Sequence, residues 1–269
     1  MTTTATDAAA AAAASSSKKN SKWFPLESNP ALMNDYIQQL GFDTSLYEFV
    51  DVFSTEDWAL DMIPQPVAAV LVLYPLTDKL EHRPLPVNND DSSALSADCN
   101  VWFIKQRIGN ACGTIGLLHA LMNVAPAELQ QCAIRPDSWL AHFAHECPAS
   151  MDPVSKAQRL EANETIASLH DAATSNPQFN QTSRGNRDDD IDTHFMALVC
   201  VQNALYELDG RQAGPIRHAA ASNTNTNITP DTLLKEACRV VQAMMQQDPT
   251  ELRFTILALA PTQRDDNNN

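Results

Sequence analysis

From Thr114 to Met122 the chain has a helix-length run that is apolar on almost every side, and this run constrains the fold more than any other feature of the sequence. After Thr114, only His119 interrupts a series of Ile, Leu, Ala, Met and Gly residues. A helix at a protein surface keeps a polar face, so a helix without one has to be enclosed on all sides. The chain therefore needs a substantial core, and 44% of its 269 residues are hydrophobic, which is enough to build one.

Glycine is concentrated at the start of this run. The chain has seven glycines, and five of them fall in two short segments, at positions 109, 113 and 116 and at positions 210 and 214. We expect the backbone to make a close approach or an unusual turn in both segments. Asn110 is a suitable N-cap for a helix that begins just after it.

Cys112 lies at the amino end of the predicted helix. Free backbone N–H groups and the positive end of the helix dipole favour a thiolate there, and the thiolate is the nucleophilic form of cysteine. Gln106, six residues earlier and predicted at the end of a strand, could donate its amide to an oxyanion together with the Cys112 N–H. A single free cysteine is more often an inert buried thiol, so this segment alone leaves both interpretations open.

A second segment, residues 194–211, predicts two strands joined by a turn at Gln202-Asn203. If the turn is centred there, opposing residues sum to 405 and His194 faces Arg211. Asp209 then lies on the same face as His194, one diagonal step away and within side-chain reach. A carboxylate in this position can orient an imidazole toward a thiol and stabilise the imidazolium.

The other histidines are weaker candidates. His119 lies inside the apolar run and is interpreted as a satisfied core histidine, and the sequence offers no derivable carboxylate partner on the same face for the rest. His145 and Cys147 could suggest a metal, but no further ligands stand at metal-site spacing. We therefore predict neither a metal nor an organic cofactor.

The remaining periodicities predict an α+β fold, because helices and strands do not alternate regularly. Helices are predicted at residues 29–40, ending at Gly41, at 54–62 and at 230–247. Strands are predicted at 67–73, 101–104, 194–201, 205–208 and 252–259. A long polar stretch covers residues 163–192, and its part from 174 to 192 is either a solvated loop or a lid.

The chain is expected to form one domain over residues 22–261, with low-complexity, disordered tails at 1–21 and 262–269. No apolar stretch is long enough to span a membrane. The formal charge of −15 repels phosphate backbones and anionic membranes, and it favours a protein or peptide with a basic patch. Six cysteines without C-x-x-C pairs and no secretory signal favour a reducing compartment, the cytoplasm or alternatively the nucleus.

The two chemistry-bearing segments resemble a known family. Residues 106–120 and 194–211 are similar to the two signature regions of the ubiquitin C-terminal hydrolases, which are papain-like cysteine peptidases. Residues 23–30 (WFPLESNP), 49–52 (FVDV) and 248–254 (DPTELRF) extend the resemblance over nearly the whole range 22–261. The chain departs from the family at Gln202-Asn203, where an Asp-Gly turn is usual, and at Cys200, and it ends soon after the last strand, as short members do.

The resemblance implies roles for particular residues. Cys112 would be the nucleophile, His194 the general base and acid, Asp209 its orienting partner and Gln106 the oxyanion donor. The implied fold is a central antiparallel sheet flanked by helices, with a knotted chain path. The polar stretch around residues 172–192 would be the crossover loop over the active site, which favours the lid interpretation and restricts the enzyme to small or flexible leaving groups.

The implied substrate is ubiquitin carrying a small adduct or a short peptide extension on its C-terminal glycine, cleaved by a monomeric enzyme. Glu27 and Asp51 would contact the basic tail of ubiquitin, or they simply belong to a charged surface. Two other functions remain open at this point: a non-catalytic module that binds ubiquitin through the same surface, and the same hydrolysis acting on a ubiquitin-like modifier. A reactive Cys112 would also be open to oxidation to a sulfenic acid.

Overall fold

The computed structural model describes residues 22–86, 100–124, 127–178, 186–219 and 227–263. The predicted tail at 1–21 lies outside these ranges, as do residues 264–269 of the second predicted tail. Within the described ranges, the chain forms a single six-stranded sheet with helices on both faces. The predicted α+β class is confirmed.

All the strand pairs of the sheet are antiparallel, and the strand order is β1-β6-β2-β3-β4-β5. The strands are β1 (Tyr47–Asp51), β2 (Ala69–Pro75), β3 (Thr193–Val201), β4 (Ala204–Leu208), β5 (Ile216–His218) and β6 (Thr255–Pro261). This arrangement confirms the antiparallel sheet that the resemblance implied, and the knotted chain path stays a prediction.

The helices of the described ranges vary from one turn to five. They are α1 (Pro30–Leu40), α2 (Asp57–Leu60), α3 (Asp78–Glu81), α4 (Cys112–Met122), α5 (Ala127–Ala133), α6 (Trp139–Glu146), α7 (Pro153–Glu161), α8 (Glu164–Ser175) and α9 (Pro230–Gln247). None of them combines the length and the hydropathy that crossing a bilayer requires.

Two predicted helices match closely because local signals define their ends. The Asn29 side chain caps α1, and Gly41 ends it with a φ of 113°, a left-handed conformation that suits glycine. Helix α9 begins at Pro230 after Thr229, which forms a reciprocal capping pair with Thr232. The helix predicted at 54–62 is shorter than expected and covers only Asp57–Leu60.

Helix α4 is buried along its whole length, as its apolar circumference predicted. It packs on one face of the sheet, where Phe195, Ala197 and Val199 of β3 point toward it. The alternate residues of β3, such as Met196 and Leu198, pack on the opposite face with α9. The sheet is therefore covered on both sides, and α4 forms the centre of the larger core.

The strand predicted at residues 101–104 is wrong, because side chains rather than a neighbouring strand bind its backbone. Asn123 accepts from the Trp102 N–H at 2.8 Å and donates to the Trp102 carbonyl at 2.8 Å. The Ile104 N–H lies 3.2 Å from Nε2 of His119. The apolar residues of this segment are buried in the core without forming a ladder.

The polar stretch predicted at 163–192 is also partly wrong. Its first part is helix α8, capped by the Asn163 side chain and buried through Ile166 and Ala173. The large apolar residues of this helix are too few to show a helical period in the sequence. Residues 179–185 of the predicted lid lie outside the described residues.

Candidate active site

Helix α4 places Cys112 at its first position. Cys112 is 8% exposed as a residue, and its thiol interacts with the backbone N–H groups of Gly113 and Phe195. The predicted cap is wrong, however: Asn110 has a φ of 59°, whereas an N-cap needs an extended backbone. The Asn110 side chain instead donates to the Arg187 carbonyl at 3.0 Å.

The hairpin of β3 and β4 brings His194 and Asp209 together. Gln202 and Asn203 form its turn, both with positive φ, and Val201 pairs with Ala204, so opposing residues sum to 405 as predicted. Nε2 of His194 donates to Oδ1 of Asp209 at 2.7 Å, and both side chains are buried. The other ring nitrogen, Nδ1, is then the one that can face the Cys112 thiol, with which the imidazole interacts.

The charges of this cluster stabilise one another. Burial by itself would raise the pKa of the Cys112 thiol, but the hydrogen bond and charge of His194 lower it overall. Burial would lower the pKa of His194, but its bonds to Asp209 and Cys112 raise it to about 9. Burial would raise the pKa of Asp209, but His194, the Arg211 N–H and Tyr74 lower it to about 2. The cluster therefore favours a thiolate, an imidazolium and a carboxylate.

Gln106 lies beside the segment that follows Asp209, but it does not end a strand as predicted. It lies in an irregular segment, and its backbone N–H donates to the Gly210 carbonyl at 3.0 Å, directly after Asp209. Any side chain on Gly210 would collide with Gln106, since an added Cβ would stand 2.9 Å from the Gln106 Cβ. The Gln106 amide donates to the Ile108 carbonyl at 3.2 Å, and its buried oxygen has no hydrogen-bond partner within the described residues.

Tyr74, on β2, also contacts the cluster, and no local pattern in the sequence predicts this contact. It pairs with His194 across the strands, and its ring meets the imidazole edge-on at 5.8 Å between centroids. Its hydroxyl donates to Oδ2 of Asp209 at 3.0 Å. The contact depends on the pairing of β2 with β3, which are more than a hundred residues apart in the chain and which no local pattern connects.

A buried ion cluster extends from this site. The Glu207 carboxylate binds the Arg83 guanidinium and lies 3.0 Å from Nε2 of His218. His218 thus has a carboxylate partner, which contradicts the expectation from the sequence. The signal that could have suggested it is the single charged residue, Glu207, in the apolar strand β4.

His119, the histidine of the apolar helix, lies in the core. His119 is a buried core residue as predicted, and burial lowers its pKa to about 4. Its Nε2 lies 3.2 Å from the Ile104 N–H, and the Leu208 backbone also interacts with the imidazole. The described ranges also contain no group of three or more His, Cys, Asp or Glu residues that could hold a metal.

The residues implied as substrate contacts lie near the cluster but outside it. Glu27 follows Leu26, whose side chain packs against Gly113 at the start of α4. Asp51 ends β1, at the same end of the sheet as His194 and Asp209.

Comparison with known proteins identifies the family of this chain. The family model described as "Ubiquitin carboxyl-terminal hydrolase, family 1" matches residues 23–246. The chain is 39% identical to ubiquitin carboxyl-terminal hydrolase 3 of Arabidopsis thaliana over 241 residues, which is 90% of this chain and 95% of the relative. It is 35% identical to human ubiquitin carboxyl-terminal hydrolase isozyme L1 over 236 residues, 87% of this chain and 96% of the relative.

A solved structure shares the fold at lower identity. The catalytic domain of Trichinella spiralis UCH37, crystallised bound to ubiquitin vinyl methyl ester, superimposes with a TM-score of 0.67 at 21% identity. The match covers 90% of this chain and 96% of that one. The family model and the relatives together cover most of the chain, and they include both segments that form the cluster. The chain belongs to family 1 of the ubiquitin carboxyl-terminal hydrolases.

Proposed function

We propose that this protein is a cysteine-type deubiquitinating hydrolase that cleaves the bond after the C-terminal glycine of ubiquitin, with Cys112 as its nucleophile. The observation that carries the proposal is the contact of the buried Cys112 thiol with a His194 imidazole that Asp209 orients at 2.7 Å. The family to which the chain belongs supports both the reaction and the substrate.

The first half of the reaction forms an acyl-enzyme. The Cys112 thiolate attacks the carbonyl carbon of the terminal glycine, and a C–S bond forms as the carbonyl oxygen becomes an oxyanion. The Cys112 N–H and the Gln106 amide are the donors proposed for that oxyanion. The Gln106 amide would exchange its present acceptor, the Ile108 carbonyl, for the oxyanion. The intermediate then collapses, and His194 protonates the departing amine or alcohol.

The second half releases ubiquitin. Neutral His194 removes a proton from water, and the resulting hydroxide attacks the thioester carbonyl. The C–S bond breaks, the terminal carboxylate of ubiquitin leaves, and the proton on His194 restores the ion pair with the Cys112 thiolate. Asp209 keeps the imidazole in one tautomer through both halves and stabilises its charged form.

The surface around the cluster suits a protein substrate. Phe53 and Leu252 lie at the same end of the sheet as His194, and they are 90% and 84% exposed. Exposed large apolar side chains grouped at one end of a protein often mark an interaction site. Glu27 and Asp51 are the proposed contacts for the basic tail of ubiquitin, and the net charge of −15 would speed the encounter with it.

Hydrolysis of ubiquitin that carries a fluorogenic C-terminal amide tests the proposal. We expect turnover by the wild type and by Cys132→Ala, which replaces an exposed cysteine on α5 and serves as the matched control. Cys112→Ala should lose turnover and still bind ubiquitin. Binding by the wild type without turnover would instead identify a non-catalytic module, and preferential cleavage of a ubiquitin-like modifier in competition would reassign the substrate.

The proposed substrate contacts are tested separately. Asp51→Asn should raise KM severalfold with little change in kcat, because Asp51 lies away from the reacting atoms. Glu48→Gln is its control, since Glu48 is on the same strand at the opposite end of the sheet. The same comparison applies to Glu27→Gln. Equal KM values in the variants, the control and the wild type would mean that these carboxylates belong only to a charged surface.

A further inference from the structure

Asp209 uses its two carboxylate oxygens differently. Oδ1 accepts from Nε2 of His194 at 2.7 Å and from the Arg211 N–H at 2.8 Å. Oδ2 accepts from the Tyr74 hydroxyl at 3.0 Å, and within the described residues this is its one hydrogen bond. Rotation of the carboxylate about its Cβ–Cγ bond would break all three bonds at once, so the Tyr74 hydroxyl holds Oδ1 toward His194.

Tyr74 is placed to contact both charged partners. Because β2 and β3 pair antiparallel, Tyr74 stands directly opposite His194, and its ring lies edge-on to the imidazole. The same side chain then extends to Asp209, which directly follows β4. Burial and the nearby Asp209 charge raise the pKa of Tyr74, so the hydroxyl stays protonated and remains a donor.

The tyrosine is itself held in place from the far side. The Arg83 guanidinium lies 5.8 Å from the centroid of the Tyr74 ring, and Glu207, which is fully buried, binds Arg83. Two sets of interactions therefore hold the Tyr74 side chain in place: the ion pair of Arg83 with Glu207, and the pairing of β2 with β3. A group fixed in this way can hold a carboxylate without moving to a new rotamer.

We propose that Tyr74 is a positioning residue of the hydrolase: its hydroxyl fixes the rotation of the Asp209 carboxylate, and through Asp209 it orients His194 toward Cys112. This inference rests on the proposed function, because it assigns Tyr74 a part in the same reaction. Tyr74 touches neither the substrate nor the reacting atoms in this role, and it acts only through Asp209.

Tyr74→Phe tests the proposal, since it removes the hydroxyl and keeps the ring against His194. We expect kcat on the fluorogenic ubiquitin amide to fall on the order of tenfold, as suits the loss of a hydrogen bond to a charged group. KM should stay within about twofold, because substrate contacts are unchanged. Tyr36→Phe is the matched control: it deletes another buried hydroxyl, bonded at 3.1 Å to neutral Thr114.

A double-mutant cycle separates positioning from a general effect on the fold. Tyr74→Phe is measured in the wild type and in Asp209→Asn, by single-turnover kinetics with enzyme in excess. If Tyr74 acts through Asp209, its loss should cost less than about twofold in the Asp209→Asn background, where there is no carboxylate to hold. Urea unfolding of Tyr74→Phe and Tyr36→Phe should show similar losses of stability, while only Tyr74→Phe loses kcat to this extent.

Three results would overturn the inference: a Tyr74→Phe kcat within twofold of the wild type, a loss no larger than that of Tyr36→Phe, or the same fold loss in both Asp209 backgrounds. Each of these three results is a comparison of kcat values, so each can be obtained only if the wild type is active. A wild type that binds ubiquitin but never cleaves it would overturn the proposed function itself, so the two failures are distinguishable.

Discussion

At the scale of single residues, the cluster works because oppositely charged groups are buried together. Cys112, His194 and Asp209 are each at most 8% exposed, and each would be destabilised in its charged form without the other two. Their mutual contacts reverse the effect of burial on all three pKa values. The reactive state is thus expected to exist before any substrate arrives.

The pH dependence of Cys112 reactivity follows from these shifts. The thiol pKa is lowered and the imidazole pKa is raised to about 9, so the ion pair persists between the two values. Iodoacetamide should therefore alkylate Cys112 rapidly at neutral pH, and kcat/KM should fall as the pH rises through about 9, where His194 loses its proton.

The control for this prediction is His194→Gln, which keeps a polar side chain and removes the charge. Its alkylation midpoint should move up to the ordinary thiol value of about 8.5 or above it, because burial raises the pKa of the Cys112 thiol once the imidazole charge is gone. If the wild type and His194→Gln share one midpoint, then the imidazole does not activate the thiol.

Glu207 provides a residue-scale test of stability. Its carboxylate is fully buried between Arg83 and His218, so Glu207→Gln would leave the Arg83 charge buried without its partner. We expect the free energy of unfolding to fall by about 3 kcal/mol, measured with urea. Glu161→Gln, which breaks the partly exposed pair with Arg107, should cost less than about 1 kcal/mol. Equal costs would show that the buried cluster is not a special source of stability.

At the scale of elements, Gly210 connects the end of β4, which Asp209 directly follows, to the segment that carries Gln106. A Cβ on Gly210 would stand 2.9 Å from Cγ2 of Ile115 on α4, as well as colliding with Gln106. Gly210→Ala should therefore displace Gln106 and lower kcat on the order of tenfold, with a loss of stability of about 1–3 kcal/mol.

The dependence on Gln106 is tested by combining variants. Gln106→Ala should itself lower kcat by about a hundredfold if it removes an oxyanion donor. Adding Gly210→Ala to it should then lower kcat by less than about twofold, because the displaced group is already gone. Independent, multiplying losses would mean that Gly210 affects the site in some other way.

The elements that could be predicted from the sequence are those with local signals. The β3–β4 hairpin was predictable in register because a two-residue turn fixes which residues oppose each other. Residues 101–104 were misassigned because their hydrogen-bond partners, the side chains of Asn123 and His119, belong to a separate helix end. Tyr74 was missed for the same reason: only the order of strands in the sheet brings it to Asp209.

At the scale of the whole molecule, the side chains proposed for the reaction lie together at one end of the sheet. The start of β3 and the residues after β4 supply His194 and Asp209, and the start of α4 supplies Cys112 from the covered face. Phe53 and Leu252 extend the same end with exposed apolar surface. The large core around α4 keeps this end rigid, so the site is built on helix and strand ends rather than on a loop alone.

Reaction with ubiquitin that carries a vinyl methyl ester at its C-terminal glycine tests the central claim most directly. A thiolate adds to the vinyl group and stays attached, so intact mass and peptide mapping report both recognition and the nucleophile. We predict one ubiquitin per chain, attached at Cys112, with slower labelling in His194→Gln. An unlabelled protein, or a label on Cys132 or another cysteine, would contradict the account.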